Sequence, residues 1–536
     1  MDERKDFMNA ATHALIILLV SSVFFLFQES VATAMISGTV FEDRNGNGQM
    51  DKGEPGVPNV SVSNQVQVVQ TDRSGRYSLP VRKPMILFIS KPAGYELPVN
   101  EHQLPQFYSI HHPQGSPSGF KYAGIAPTGP LQEAVNFPLI KTHYTEAFNA
   151  VIVGDPQPRD SVEVGYFRDD IISDMVGKDA RFYMALGDIA FDHLKTYEQY
   201  NRAVAQLGMP AFNVHGNHDM NFRALHDSVA AETFRRVYGP EYYSFNYGKV
   251  HFVVMDDVQY DGWNREKKKS GGYRGYFTER QLTWLKNDLQ FVPQDHLLVF
   301  SVHIPIFTNY SQSDGVNVVN REAFFRLLKG RQYLLTLSAH MHIIEHLSFS
   351  AESGWVYDHS FYSINAGAGC GAWWSGPKDS RGIPESHCMD GSPNGYYVFS
   401  FDGNQFNYDF LPARYDESYQ MRISQPQGVL SKAQADTTEI VVNIFDADAQ
   451  SEVFFQVDDR SRKSMRSVTR KDPYILRYLK QFRQDIPGWI NDGADINHIW
   501  IADLPADLKM GTHLIKVSAR DSKGKLYSGV RLFEIQ

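Results

Sequence analysis

Five groups of carboxylate, amide and imidazole side chains each come directly after an apolar segment of the chain. The apolar segments are FNAVIVG, ARFYMALG, PAFNVHG, HLLVFSV and YLLTLSA, and their lengths and compositions are typical of buried strands. The polar groups are Asp155 with Gln157, Asp188, Asn217 with His218 and Asp219, His303, and His340 with His342. Because ligands bind at the carboxyl ends of strands in α/β sheets, we expect these side chains to lie together.

Side chains of these three types are the ligands of dinuclear Mn, Fe or Zn centres in proteins. One carboxylate can bridge two metal ions, and Asp188 suits that position. Two ions about 3.5–4 Å apart can share a hydroxide and bind a phosphoryl group for in-line attack. The side chains therefore suit two divalent transition metal ions that together bind a phosphoryl group.

The region that carries these residues alternates apolar strands with helical stretches from about Ala147 to Leu411. The helical stretches include GYFRDDIISDMVG, YEQYNRAVAQLG and TERQLTWLKNDLQ. The last of them begins with Thr278 and Gln281 at the spacing of a capping box. This alternation predicts an α/β domain with a layered sheet, which we place at residues 146–411.

Both flanking regions contain short strand-like runs separated by Gly, Asn, Asp and Pro turns. Residues 35–99 predict a small β-sandwich domain, and the Pro-, His- and Gly-rich residues 100–145 are expected to form a linker. Residues 412–536 predict an Ig-like β-rich domain, interrupted by a polar insertion at residues 460–495. Several domains agree with a length of 536 residues, which is too long for one compact core.

The polar groups occur in the order of a known motif series, D-x-H, G-D, G-N-H-D, H and G-H-x-H. In this chain the series is Asp155-Pro156-Gln157, Gly187-Asp188, Gly216-Asn217-His218-Asp219, His303 and Ala339-His340-Met341-His342. The chain resembles the calcineurin-like metallophosphoesterases, and its flanking β-domains resemble the bacterial three-part type of that superfamily. The resemblance implies a calcineurin-like layered β-sandwich flanked by helices.

The resemblance also implies a role for each residue of the series. The first metal ion would be bound by Asp155, Gln157 and His342, the bridge would be Asp188, and the second ion would be bound by Asn217, His303 and His340. His218 would contact the phosphoryl group and assist the leaving oxygen, and Asp219 would orient His218.

Two residues depart from the series. Gln157 stands where the family has His, and an amide oxygen is a weaker donor than imidazole, so the first site would bind loosely or prefer Mn or Mg over Zn. Ala339 stands where the family has Gly, which changes backbone freedom alone. The residues also have structural alternatives: a helix cap for Asp188, a turn for Asn217 and His218, and core packing for His303.

Two segments adjoin the series. Asp192 and His193 follow the Gly187-Asp188 turn and either support the ligands or begin a helix. The loop at residues 365–397 either shapes substrate access or packs on its own aromatic rings; the side chains that could line the mouth are Trp373, Trp374, Lys378 and Arg381. The same loop carries Cys370 and Cys388, which form either one disulfide in an oxidising compartment or two separate buried thiols.

The overall charge and the N-terminus bear on location and partners. With 52 basic and 61 acidic residues the net charge is −9, which disfavours a general nucleic-acid binder. The apolar run from Ala14 to Phe27 is shorter than the roughly 20 residues of a membrane span, and Ala32-Thr33-Ala34 follows it. We predict a signal peptide at residues 1–34 that is cleaved after Ala34, leaving a secreted or periplasmic chain with no transmembrane helix. The alternative is an uncleaved N-terminal anchor that faces outside the cytosol.

A second metal pattern lies in the N-terminal region. Residues 43–54, DRNGNGQMDKGE, match the calcium-loop pattern D-x-[DN]-x-[DN]-G-x5-E. The candidate ligands are Asp43, Asn45, Asn47, Gln49, Asp51 and Glu54. The loop either binds a structural Ca²⁺ ion or is a polar hairpin loop rich in turn formers.

These observations favour an exported dinuclear phosphoesterase that hydrolyses a phosphate mono- or diester with a metal-bridged hydroxide. The substrate would be a small-molecule, lipid or glycan phosphate ester. A phosphatase of lipid or envelope-glycan headgroups is one alternative. A non-catalytic cell-surface binding protein that retains the fold is the other, and Gln157 is the residue that favours it.

Overall fold

The computed structural model of the protein describes residues 34–448, 450–488, 490 and 492–536. Residues 1–33, which carry the predicted export signal, lie outside the described residues, so that signal remains a prediction. Among the helices in the described ranges, none is both long enough and apolar enough to cross a bilayer.

The N-terminal module, residues 35–141, consists of eight strands in two sheets. The strands are β1 (Met35–Glu42), β2 (Ser61–Ser63), β3 (Val68–Gln70), β4 (Arg76–Pro80), β5 (Met85–Ile89), β6 (Tyr95–Glu96), β7 (Tyr108–His111) and β8 (Phe137–Lys141). One sheet has the order β4-β1-β8-β6 and the other has the order β3-β2-β5-β7. Both sheets bury apolar side chains in one core, among them Val40 and Val62, so the predicted N-terminal β-rich region is confirmed.

The stretch at residues 100–145, expected to be a linker, supplies one strand to each of these sheets. β7 pairs antiparallel with β5, and Met85 lies opposite His111. β8 pairs parallel with β1, and Val40 lies opposite Phe137. The two strands are short and separated by Pro- and Gly-rich turns, so their apolar alternation is too brief to stand out in the sequence.

The central module, residues 147–412, contains the alternating strands and helices. Its strands are β9 (Ala147–Val153), β10 (Tyr183–Ala185), β11 (Ala211–Asn213), β12 (Tyr243–Tyr247), β13 (Val250–Val254), β14 (Val258–Tyr260), β15 (Trp263–Asn264), β16 (Lys269–Ser270), β17 (Tyr273–Gly275), β18 (Leu297–Ser301), β19 (Leu334–Ser338), β20 (Ile344–Ser348), β21 (Tyr362–Ala366), β22 (Gly395–Asp402) and β23 (Gln405–Pro412). Its helices are α1 (Ser161–Phe167), α2 (Ser173–Met175), α3 (Tyr197–Val204), α4 (Glu232–Tyr238), α5 (Glu279–Asp288) and α6 (Arg321–Leu327).

Two large sheets of the central module pack face to face. One sheet has the order β11-β10-β9-β22-β23 and the other has the order β12-β13-β18-β19-β21-β20. Along β9, Ala150 and Ile152 lie in the core between the sheets, whereas Val151 and Val153 lie in the core beneath the helices. Because both faces of β9 are buried, its sequence is an almost continuous apolar run. The predicted layered β-sandwich flanked by helices is confirmed.

Side chains cap the helices that pack on these sheets. Asp160 accepts hydrogen bonds from the backbone N–H groups of Val162 and Glu163 at the start of α1. Thr278 accepts one from the Gln281 backbone at the start of α5, which confirms one half of the predicted capping box, whereas the Gln281 side chain donates to the Asp256 oxygen. A π-helical segment, Arg168–Ile172, joins α1 to α2.

The C-terminal module, residues 421–535, also consists of two sheets. Its elements are β24 (Met421–Gln425), β25 (Val429–Leu430), α7 (Lys432–Ala435), β26 (Glu439–Ile444), β27 (Glu452–Val457), β28 (Lys463–Ser464), β29 (Arg466–Arg470), α8 (Pro473–Gln481), β30 (Ile496–Asp503), β31 (Gly511–Arg520) and β32 (Leu526–Ile535). The sheets have the orders β24-β26-β30-β29 and β25-β32-β31-β27-β28. The predicted polar insertion, residues 460–495, contains β28, β29 and α8.

A buried polar network joins the C-terminal module to the central module. Asp446 Oδ1 lies 2.8 Å from His346 Nε2 and accepts a hydrogen bond of 2.7 Å from the Tyr397 hydroxyl. Burial alone would raise the pKa of Asp446, but the hydrogen bond from His346 lowers the pKa below its usual value. The charged carboxylate is thus stabilised inside the interface, and the modules are in direct contact.

Candidate active site

The sequence-predicted site residues lie at one edge of the two central sheets. Asp155 and Gln157 follow β9, Asp188 follows β10, and Asn217 follows β11, all in the first sheet. His303 follows β18, and His340 and His342 follow β19, in the second sheet. The carboxyl ends of these parallel strands therefore bring the five sequence groups together across the sandwich.

Five of the seven predicted ligands have a left-handed backbone. The φ angles are positive at Asp155, Gln157, Asp188, His340 and His342. Such a conformation costs a non-glycine residue of order 1–3 kcal/mol, and residues of this kind cluster at functional sites. The turns after the strands therefore direct these side chains towards one another, and the strained backbone lowers the local stability.

Glycines in the motifs allow the turns to approach one another. Gly187 has φ +90°, and a Cβ there would lie 2.5 Å from Nδ1 of His303. A Cβ on Gly216 would lie 2.2 Å from the backbone nitrogen of Asp188. Both distances are shorter than any real contact, so a side chain at either position would separate the predicted ligands.

Asp155 and Asp188 link the ligands of the two sheets. Asp155 Oδ2 accepts a hydrogen bond of 2.8 Å from the backbone of His340, and Asp155 Oδ1 lies 3.8 Å from Nε2 of His342. Asp188 Oδ1 lies 3.3 Å from Nε2 of His303, and Asp188 Oδ2 accepts a hydrogen bond of 2.8 Å from Gln157. Asp188 therefore occupies the centre of the cluster.

His303 connects the remaining two predicted ligands. Its Nε2 lies 2.9 Å from Oδ1 of Asn217 and 3.2 Å from Nδ1 of His340. One ligand atom from each of Asp188, His303 and His340 lies within 4.8 Å of the others. The structure thus brings all seven predicted ligands into one connected set of contacts.

The ring nitrogens that face away from the cluster contact backbone carbonyl groups. His303 Nδ1 lies 2.9 Å from the Leu186 oxygen, His342 Nδ1 lies 2.5 Å from the Gly371 oxygen, and His340 Nε2 lies 3.0 Å from the Gly315 oxygen. Each of these nitrogens can donate a hydrogen bond to its carbonyl oxygen, and in the neutral ring the opposite nitrogen then carries the lone pair and faces the cluster. This is the tautomer that a metal-binding imidazole needs.

The donor set fits divalent metal ions. Asp155 Oδ1 is buried and makes no hydrogen bond with any residue that the structure describes. A buried carboxylate oxygen without a partner is costly unless a cation binds it. Carboxylate, amide and imidazole donors together suit Mn, Fe or Zn.

Burial and charge shift the pKa values of these groups. Burial raises the pKa of Asp155 to about 8. Burial would also raise the pKa of Asp188, but the charge of His303 outweighs burial and lowers the pKa of Asp188 far below the usual range. His303 is buried too, but Asp188 raises its pKa to about 10. Burial lowers the pKa of His340 to about 3 and that of His342 to about 4. His340 and His342 are therefore neutral at pH 7, which is the form that binds metal.

His218 lies at the open side of the cluster, with 24% of its side chain exposed. Its backbone N–H donates a hydrogen bond of 2.8 Å to Asp188 Oδ1, and its ring stacks on Phe191 with centroids 4.4 Å apart. Burial lowers the pKa of His218, but Asp188 and Asp192 outweigh burial and raise it above the usual value. The protonated ring is thereby favoured.

The expectation that Asp219 orients His218 is wrong. Asp219 is fully buried and accepts hydrogen bonds from the Ile189, Ala190 and Gly216 backbone and from the Tyr197 hydroxyl, so its carboxylate holds the turns together. The carboxylate beside the His218 ring belongs to Asp192, whose Oδ1 lies 2.7 Å from His218 Nδ1. The tight G-N-H-D turn directs Asp219 inwards and leaves the ring of His218 facing the next loop.

Two further residues at the site carry no motif signal. Asp257 is buried, and its Oδ1 accepts hydrogen bonds of 3.3 and 3.2 Å from the backbone of His303 and Ile304. It follows β13, so the rule of polar residues after apolar strands could have found it. Tyr273 packs the edge of its ring on His340, with centroids 5.9 Å apart, and burial and the charge of Asp188 raise its pKa to about 12.

The loop at residues 365–397 packs on the site through one of the side chains expected to line its mouth. Trp373 stacks on His342 with centroids 4.2 Å apart. Trp374 is buried, and Arg381 forms ion pairs with Asp170 and Asp379.

Of the two alternatives for the cysteines, the structure has the separate thiols. Cys370 and Cys388 are free and buried, as the alternative interpretation has it. Cys370 Sγ lies 3.8 Å from Gln157 Oε1 and 3.8 Å from His342 Nδ1, whereas Cys388 Sγ lies 3.7 Å from the Ala368 oxygen. The two thiols therefore contact different groups, and burial raises the pKa of both.

Sequence comparison identifies the family. The profile for calcineurin-like phosphoesterases matches residues 148–343. The profiles for the N-terminal and C-terminal regions of calcineurin-like phosphoesterases match residues 44–124 and 364–527. The chain belongs to the calcineurin-like phosphoesterase family. Within that family it has the three-part organisation. The match to the C-terminal profile begins inside the central module, at residue 364, and includes the loop beside His342.

Individual relatives are distant. The human "Serine/threonine-protein phosphatase CPPED1" is 26% identical over 231 residues, which are 42% of this chain and 64% of that protein. The chain therefore spans less than two thirds of the length of this curated relative.

Solved structures are more distant still. A dimetal phosphatase from Danio rerio shares 17% identity, with 49% of this chain and 95% of that one covered and a TM-score of 0.33. A purple acid phosphatase from yellow lupin shares 11%, with 66% and 67% covered and a TM-score of 0.34. A metallophosphoesterase from Sphaerobacter thermophilus shares 14%, with 50% and 89% covered and a TM-score of 0.24. The family assignment rests on the sequence profiles alone.

Proposed function

We propose that this protein hydrolyses a phosphate mono- or diester with two divalent transition metal ions. The observation that supports the proposal best is the contact of seven donor side chains around Asp188, next to an unpartnered buried oxygen of Asp155. The chain's family is one of phosphoesterases, which supports the same reaction class.

The contacts also support the division of ligands between two ions. Asp155 lies 3.8 Å from His342 and Gln157 bonds Asp188, whereas His303 contacts Asn217 and His340. When bound, the ion pair supplies the Lewis acid that binds the phosphoryl group and the activated water that attacks it. Asp188, which contacts residues of both groups, would be the shared ligand.

The remaining step, release of the alcohol, needs a proton. As the P–O bond breaks, the bonding electron pair leaves with the oxygen, and His218 Nε2 donates a proton to it. Asp192 accepts a hydrogen bond from Nδ1 of the same ring and stabilises the protonated form. Phe191 fixes the plane of the ring by stacking.

Removal of the metal ions should abolish activity. Purified protein is expected to contain about two transition metal ions per chain, and chelation should remove hydrolysis of p-nitrophenyl phosphate and of its bis-ester. Added Mn²⁺ should restore it, and the ratio of the two rates decides between a monoesterase and a diesterase. Activity that survives complete removal of metal would contradict the proposal.

A non-catalytic cell-surface binding protein is the second candidate, because Gln157 is a weaker ligand than the histidine of the family motif. It predicts fewer than two ions per chain and no turnover at any Mn²⁺ concentration. The proposed location is secreted or periplasmic, and a screen of phosphorylated metabolites, lipids and glycans would identify the substrate class.

We also propose that the N-terminal loop at residues 43–54 binds a structural Ca²⁺ ion. Asp43 accepts hydrogen bonds from the backbone of Gly46 and Gly48, and Glu54 accepts them from the backbone of Arg44 and Asp51. These bonds close the loop around its candidate oxygen ligands, as calcium loops require.

A melting-temperature measurement tests whether this loop binds calcium. Calcium at 10 mM should raise the melting temperature of the metal-loaded protein by a few degrees, because an ion that binds only the folded state stabilises it. Glu54→Gln should remove the shift, and Glu133→Gln, an exposed glutamate of the same region, should keep it. An equal calcium response in both variants would show that the loop is a polar hairpin only.

A further inference from the structure

The N-terminal module contacts the loop that holds His218. Tyr122, which lies in the segment matched by the N-terminal profile, is 7% exposed and donates a hydrogen bond of 3.0 Å to the backbone oxygen of Asp192. Asp192 Oδ1 lies 2.7 Å from His218 Nδ1, and the Asp192 backbone N–H donates to the His218 oxygen. Tyr122 is therefore separated from the His218 ring by one residue.

The segment that carries Tyr122 is itself fixed to the central module. The Thr233 hydroxyl, on α4, lies 3.3 Å from the oxygen of Tyr122 and 3.0 Å from the oxygen of Ala123. The Tyr122 ring also lies 6.0 Å from the ring of His193. These contacts make the position of the tyrosine hydroxyl well defined relative to Asp192.

The loop at residues 365–397 contacts His342 at three places. The Gly371 oxygen lies 2.5 Å from His342 Nδ1, the Trp373 ring stacks on the imidazole, and the Met389 backbone N–H donates a hydrogen bond of 2.8 Å to the His342 oxygen. Both the ring and the backbone of this predicted metal ligand thus depend on the loop.

The C-terminal module contacts the outer side of that loop. The Ala494 backbone N–H donates a hydrogen bond of 2.7 Å to the Met389 oxygen, and the Tyr474 hydroxyl lies 3.0 Å from His387 Nε2. The Tyr478 ring packs edge-on against His387, with centroids 4.8 Å apart. Met389 therefore bonds His342 on one side and the insertion of the C-terminal module on the other.

We propose that the two flanking modules position different groups of one catalytic centre. Tyr122 of the N-terminal module positions His218 through Asp192, and Tyr474 and Tyr478 of the C-terminal module position His342 through the loop at residues 365–397. The inference rests on the proposed function, because it takes His342 as a ligand of the first ion and His218 as the proton donor.

The two contact routes are separate, so their effects should be separable. Among the described residues, Tyr122 bonds Asp192, which contacts His218, whereas Tyr474 contacts His387 in the loop whose Met389 bonds His342. A displacement of a fraction of an ångström is enough to slow a reaction or weaken an ion site. Loss of the first route should therefore slow leaving-group departure, and loss of the second should weaken one metal ion.

The N-terminal half of the inference is tested with Tyr122→Phe, which removes one hydroxyl. The rate on an alkyl phosphate, whose leaving oxygen needs a proton, should fall about fivefold, as expected for one hydrogen bond. The rate on p-nitrophenyl phosphate should change little, because nitrophenolate leaves without a proton. Metal content should stay at the wild-type value, and Tyr333→Phe, an exposed tyrosine, is the matched control.

The C-terminal half is tested with the double variant Tyr474→Phe/Tyr478→Leu. The Mn²⁺ concentration that fills the weaker of the two sites, measured by direct binding titration, should rise about tenfold. Saturating Mn²⁺ should restore the rate, and the ratio of alkyl to nitrophenyl rates should match wild type. Leu476→Ala, on the exposed face of the same helix, should change neither quantity.

The inference is tested by comparing metal affinity and leaving-group dependence between the two variants. The inference would be overturned if both variants changed metal binding and leaving-group dependence to the same extent. It would also be overturned if neither variant changed either quantity. A wild-type protein that binds two ions but hydrolyses neither substrate would overturn the proposed function together with the N-terminal half. The C-terminal half is decided by the Mn²⁺ titration alone, since that titration needs no turnover.

Discussion

Asp188→Asn is expected to abolish hydrolysis and to lower the metal content below two ions per chain. Asp188 is buried at the centre of the predicted ligands, 3.3 Å from His303 and hydrogen-bonded to Gln157. An amide has one oxygen where the carboxylate has two, and it carries no charge, so it cannot hold two cations together. Loss of several kcal/mol of charge stabilisation corresponds to a rate lower by roughly 10³-fold.

The variant is nearly isosteric, so the fold should survive. The asparagine oxygen can still accept the backbone hydrogen bond that His218 donates to Asp188. Asp459→Asn, an exposed aspartate in the C-terminal module, serves as the control for a lost charge. Metal analysis and the p-nitrophenyl phosphate assay are measured on the same preparations. Wild-type activity in Asp188→Asn would refute the role of Asp188 as the shared ligand.

His218→Ala is expected to retain both metal ions but to lose rate in a way that depends on the leaving group. His218 is partly exposed, and its ring contacts Phe191 and Asp192, not the predicted ligands. General acid catalysis contributes about 10²–10⁴-fold, so the rate on an alkyl phosphate should fall by that amount. The rate on p-nitrophenyl phosphate should fall much less.

The matched control is His226→Ala, which removes an exposed histidine from the loop after β11. Metal content, measured on the same samples, separates a lost proton donor from a lost ligand. A fall in metal content would place His218 among the ligands. An equal loss on both substrates would show that His218 binds the phosphoryl group without protonating the leaving oxygen.

Strand ends and short motifs in the sequence are enough to predict much of the site. Asp155, Asp188, Asn217, His303 and His340 each follow an apolar run, and β-strands expose the residues after them at one sheet edge. This rule depends on local pattern alone, so it predicts the layered sheets and the meeting of the ligands. The flanking β-rich regions are predictable for the same reason, because period-two alternation is a local signal.

The neighbours that act on those residues follow from tertiary contacts. Folding places Asp192, not Asp219, beside the His218 ring, and it leaves Cys370 and Cys388 as free thiols. It also brings Tyr122 to Asp192 and Tyr474 to His387, from modules that lie far away in the chain. Contacts of this kind depend on the direction of each turn and on packing between distant segments, and neither leaves a periodic trace in the sequence.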